Sequence, residues 1–212
     1  MAFGRSRPAE EPPVEQVRWE AVHKFVIGSV ERPLTAKRKR VVMGLTAVRV
    51  PKGGKDRRVL APCAYPGSGL TLYEDPGARR LLCSVDAPEE VDGERRHVVR
   101  DAGGEPIGTI RRIAPRRPFK HTWRIDQPGH PEIVGRNEWA GGQGVLKAAM
   151  ALADSAMGMG IEGGDQRSKP RTLEWRAGDR TVMVSGGGEE VTIRASWLDR
   201  RLAFAFALLG DR

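Results

Sequence analysis

The chain has 212 residues, enough to build one substantial core without covalent staples. Its 2 cysteines exclude a disulfide scaffold, and no run reaches the roughly 18 apolar residues of a membrane-spanning helix. The formal charge is +9, and 26 Gly with 15 Pro favour a turn-rich β protein over a helical bundle. The basic excess has two readings, a surface for an anionic partner or a compositional background, since 28 of the 36 basic residues are Arg.

Residues 1–13 are polar, charged and rich in Pro, and read as a disordered tail. Val14, Val17, Ala21, Val22, Phe25 and Val26 fall near one face at helical spacing, which predicts a helix ending before Pro33. The basic run Lys37, Arg38, Lys39, Arg40 follows and completes a segment 14–40. The apolar, β-branched stretch Val41 to Val50 then reads as a strand, and Pro51 to Arg58 as an exposed turn.

Three consecutive stretches share one pattern: LTLYEDPGARRLLCSV, RHVVRDAGGEPIGTIRRI and HTWRIDQPGHPEIVGRNEW. In each, an apolar run leads to an Asp (Asp75, Asp101, Asp126), a nearby Gly (Gly77, Gly103, Gly129) and a second apolar run. Asp accepts hydrogen bonds from turn N–H groups, and Gly admits the positive φ of hairpin turns. The three units predict an antiparallel meander. Turn chemistry accounts for the Asp repeat better than calcium does, because no loop carries closely spaced oxygen ligands.

An Ala/Met-rich helix is expected over 144–159. Strand character resumes at Leu173 to Trp175, Thr181 to Ser185 and Val191 to Arg194. The last segment reads as a helix with Ser196 as N-cap, Asp199 as the capping-box acid and Gly210 as terminator. Every residue from Leu202 to Leu209 is apolar. A helix with no polar face is surrounded on all sides. Eight residues rise about 12 Å, far short of a bilayer of about 30 Å. The fold expected is therefore mainly β: an antiparallel barrel of roughly 10–12 strands over 41–212, closed around a buried C-terminal helix. An N-terminal helix and the helical insertion 144–159 accompany it.

The serial Asp–Gly hairpins, the Trp in HTWRID and the closing helix of type acid, basic pair, apolar run resemble the tubby C-terminal-like superfamily. Its LURP-one-related and phospholipid-scramblase-like branch is the nearest in pattern, over about Gly69 to Arg212. The resemblance implies a barrel of about a dozen strands around a hydrophobic helix. It also implies binding of phosphoinositides or association with membranes in some members, and no catalytic residue to carry over.

The chemical motifs are sparse. Gly158 to Gly163 matches G-x-G-x-x-G but follows a helix and runs into a charged loop, the wrong context for a dinucleotide. Ser68, in PGSGL, lacks the glycine two positions earlier that a nucleophile elbow needs. Cys63 and Cys83 read as a reduced pair, and His23, His97, His121 and His130 show no metal-ligand spacing. No catalytic, cofactor-binding or metal-binding residue is assigned, and no cofactor is expected.

Two basic clusters remain as anion-binding candidates. One is Arg111, Arg112, Arg116, Arg117, Lys120 and Arg124; the other is Lys37, Arg38, Lys39 and Arg40. Arginine forks suit phosphate oxygens. Three readings stand for these charges: a solvated surface, a site for anionic phospholipid headgroups, or a nucleic-acid contact. The last is weakened by few aromatics for base stacking. The helix at 144–159 is open to packing or to a protein partner. The expectation is a non-enzymatic, cytoplasmic binding or adaptor protein, peripheral to the inner face of the membrane.

Overall fold

A computed structural model describes residues 12–53, 58–114, 122–137, 172–186 and 190–210. Among the described residues thirteen strands and one α-helix follow in chain order: β1 (Lys24–Arg32), β2 (Val42–Lys52), β3 (Val59–Pro66), β4 (Thr71–Tyr73), β5 (Leu81–Val85), β6 (Glu89–Val91), β7 (Glu94–Asp101), β8 (Pro106–Ile113), β9 (Thr122–Asp126), β10 (Ile133–Asn137), β11 (Leu173–Ala177), β12 (Arg180–Ser185), β13 (Glu190–Ile193) and α1 (Arg200–Leu209).

Twelve strands close into an antiparallel barrel. Each pairs with its sequence neighbour, and the ring is sealed where β1 meets β13, with Phe25 opposite Val191. The short β6 stands outside the ring. It takes the first half of one β7 edge (Glu94 to Arg96), and β5 takes the second half (Val99 to Asp101). Closure removes the open edges that a sheet of this length would otherwise expose.

Period-two alternation aims one face of each strand at the axis. Val99 on β7, Ile110 on β8, Trp123 and Ile125 on β9 and Leu173 and Trp175 on β11 are all buried. They enclose α1, whose residues Leu202 to Phe206 are at most 3% exposed. Edge-to-face aromatic contacts join plug to wall: Phe25 to Phe204 at 4.8 Å and Trp123 to Phe206 at 5.4 Å between ring centroids. Such pairs add stabilisation beyond area burial. The expected barrel around a terminal helix is the observed fold. Its last turn, Ala207 to Leu209, is only partly buried.

The helix expected over Val14 to Val30 is corrected. The chain runs extended to a single 3-10 turn, Trp19–Ala21, and then enters β1. A few apolar residues fit periods of both 3.6 and 2. Tertiary pairing decides between them, because β1 is hydrogen-bonded on both edges and Phe25 packs against Phe204. The predicted N-cap is corrected as well. Asp199 caps α1, its carboxylate accepting the Arg201 backbone N–H at 2.9 Å, and Ser196 lies in the turn before it. Asp and Ser are equally good caps. Gln127, on the β9–β10 turn, settles the register by accepting the Asp199 backbone N–H at 2.9 Å and donating to the Trp197 carbonyl at 2.9 Å.

The Asp half of the turn chemistry holds for the first two Asp–Gly units and the glycine half for the third, where Gly129 has a φ of 77°. Asp75 accepts from the backbone of Gly77, Arg79 and Arg80, and Asp101 from Gly103 and Glu105. Positive φ falls on Ala78 and Gly104 rather than on Gly77 and Gly103. Asp126 serves no turn; its carboxylate binds Arg111 at 2.6 Å. The expected tail lies almost wholly outside the described residues, and the helix at 144–159 and the glycine motif at 158–163 do so entirely.

Candidate functional site

The two basic clusters have different structural fates. Arg111 on β8 is 16% exposed and sits among three carboxylates. It donates to Asp126 at 2.6 Å, to Glu94 at 3.1 Å and to Glu132. Burial opposes its charge, but its hydrogen bonds to Asp126 and Glu94 prevail and raise its pKa. In return Arg111 holds the Glu94 carboxyl below its ordinary range. Arg124 on β9 joins the same network through Glu132 at 3.0 Å. Arg112 lies over the Trp123 indole, 5.6 Å from its centroid. These arginines fasten β7, β8, β9 and the β9–β10 turn to one another, and the Arg111 fork is saturated by its own chain. Arg116, Arg117 and Lys120 lie outside the described residues.

The second cluster is presented outward. Lys37, Lys39 and Arg40 are exposed in the loop joining β1 to β2, and Arg38 is half-buried. Backbone hydrogen bonds between Thr35 and Arg38, both at 3.1 Å, shape the loop. The same hairpin carries the large exposed apolar residues of the described structure: Leu34 (62%), Val41 (48%), Met43 (59%) and Leu45 (62%). Met43 and Leu45, two positions apart, share one face of β2.

A buried arginine positions this hairpin. Arg49 on β2 is 1% exposed. Its guanidinium donates to Gly28 O of β1 at 2.9 Å, Leu45 O of β2 at 2.5 Å and Leu60 O of β3 at 3.0 Å. Glu31 of β1 lies 3.4 Å away and balances the charge. The pairing register slips here, since Gly28 faces Ala47 but Val30 faces Met43. Arg49 satisfies the carbonyl groups that this bulge would leave bare. Gly44 leaves room beside it: a β-carbon there would lie 2.2 Å from the Glu31 carboxylate, which would have to move. Reading in sequence missed this arrangement. Arg49, Met43 and Leu45 all lie inside the run Val41 to Val50, which reads only as a strand.

Other candidates lose their chemistry in the fold. Cys63 on β3 and Cys83 on β5 are free, buried thiols, and burial pushes both up to about 12. They are inert as nucleophiles. Among the described residues no group of three His, Cys, Asp or Glu is arranged to hold a metal ion, and no helix is long and apolar enough to cross a membrane. In comparisons with known proteins, no family model, no curated protein and no solved structure matches this chain.

Proposed function

We propose that this chain is a non-enzymatic, tubby-like binding protein that docks on anionic phospholipid surfaces through its β1–β2 hairpin. The observation that carries the reading is the adjacency of Lys37, Arg38, Lys39 and Arg40 to exposed Leu34, Val41, Met43 and Leu45. A basic residue near an anionic leaflet contributes about 1 kcal/mol, and apolar area moved into the interface about 25 cal/mol per Å². Neither term alone gives stable attachment, and the two together do. The hairpin brings both to one tip, and Arg49 holds its base rigid.

Vesicle flotation tests this reading. Binding is expected to phosphatidylcholine vesicles containing phosphatidylserine, weakening with salt as the headgroup charge is screened. Replacing Lys37, Arg38, Lys39 and Arg40 by Ala removes the salt-sensitive part. Met43→Ser with Leu45→Ser weakens the remainder. Binding to DNA in a mobility shift, with none to these vesicles, would assign the cluster to nucleic acid and overturn the reading.

A further inference from the structure

We infer that the barrel end at which α1 enters holds a second, independent site, a cleft for a small amphipathic anion. The cleft measures about 500 Å³ and lies between the β9–β10 turn, the β11–β12 hairpin and the β13–α1 connection. That volume falls in the range of small-molecule sites. Its walls are mainly apolar, formed by Val182, Ala195 and the stacked pair His130 and Trp197, whose rings lie 4.5 Å apart at 11°. The stack is held in place because Gln127 fixes the Trp197 carbonyl.

The electrostatics select the ligand. Among the described residues Arg180 and Arg194 line the cleft, and no Asp or Glu does. Several other arginines of the fold are neutralised, Arg100 by Asp86, Arg111 by three acids and Arg201 by Asp199. Among the described residues Arg180 and Arg194 have no carboxylate within ion-pair distance. Their exposed positions at the rim leave both guanidinium forks available to a phosphate or carboxylate. The ligand class that fits is therefore a phosphate monoester or carboxylate attached to a flat or branched apolar body. The anion meets the two arginines and the body lies along Val182, Ala195 and Trp197.

Titration calorimetry with 4-nitrophenyl phosphate, inorganic phosphate and 4-nitrophenol tests the assignment on the full chain. The monoester is expected to bind more tightly than either half alone. Arg180→Ala and Arg194→Ala each weaken it by about tenfold, the size of a lost charge-assisted pair. Unchanged thermal midpoints would establish that both variants are folded. Vesicle flotation of the double variant is expected to match the native chain, which separates this cleft from the β1–β2 hairpin. The inference is overturned if folded native protein binds none of the three probes. It is equally overturned if monoester binding is as strong in the folded double variant.

Discussion

Trp175 and Phe206 meet edge to face on the barrel axis, their ring centroids 4.5 Å apart and their planes inclined by 73°. The first belongs to the wall and the second to the plug. Trp123 approaches the same phenyl ring from β9, and the Trp175 indole N–H is satisfied by the Ser185 hydroxyl at 3.0 Å. Phe206 is thus gripped by two tryptophans of the wall. Phe206→Ala is expected to destabilise the fold by about 3–5 kcal/mol, the range for deleting a buried aromatic. Urea denaturation followed by tryptophan fluorescence measures it. Deleting residues 202–212 should leave no cooperative transition; a folded truncation would mean that the wall stands without its core.

Close packing also limits the wall. A β-carbon on Gly108 of β8 would lie 2.6 Å from the Asp126 carbonyl oxygen and 2.9 Å from a Leu202 methyl group. The backbone contact cannot be relieved by a rotamer change. Gly108→Val is expected to cost more than the 1–3 kcal/mol typical of overpacking, read as a lowered denaturation midpoint or as insoluble expression.

Arg111 and the loop cluster make opposite predictions. Arg111→Ala leaves Asp126, Glu94 and Glu132 close together without their shared cation. It should lower stability while vesicle binding by the folded fraction stays unchanged. Lys39→Ala with Arg40→Ala should do the reverse, leaving the denaturation midpoint intact and reducing flotation. A single experiment carrying both variants separates structural arginine from surface charge.

His97 on β7 gives the fold a pH dependence. Its side chain is 7% exposed and its Nδ1 has no hydrogen-bond partner. Burial disfavours the imidazolium and lowers the pKa from the ordinary 6.5; Arg95 and Arg112 push the same way, and a backbone hydrogen bond at Asp86 opposes them. The unfolded chain therefore binds a proton at higher pH than the folded one does. Stability from this group is complete above 6.5 and is lost as pH falls from there toward the folded value. His97→Leu should flatten the denaturation midpoint across that window, and an unchanged slope would exclude His97 as the cause.

Much of the architecture was legible before any coordinates. The uninterrupted apolar run Leu202 to Leu209 required enclosure, and Asp75 and Asp101 marked real turns. What stayed hidden depends on contacts distant in sequence. Val14 to Val30 carries too few apolar residues to separate two periods, and one edge of its strand pairs with β13, more than 150 residues later. Asp126 has its glycine three residues on, after Pro128, rather than two, but nothing local signals that its carboxylate binds Arg111 on the neighbouring strand. The candidate site was half legible. The run Lys37 to Arg40 stood out by composition, but the exposure of Met43 and Leu45 follows from a register slip at Gly28 that local sequence does not signal.

The seam between β1 and β13 sets a schedule for the chain's own synthesis. Twelve strands emerging one after another pair readily with their predecessors, so a growing meander forms early. It cannot close until β13 and α1 have left the ribosome, because the last strand and the axial helix arrive within twenty residues of each other. Until then the inward faces of Phe25, Trp123 and Trp175 have nothing to pack on, and β1 presents a bare edge. Such a half-ring is the kind of species that aggregates or recruits chaperones. The residues that complete the barrel thus also determine how long the nascent chain needs protection.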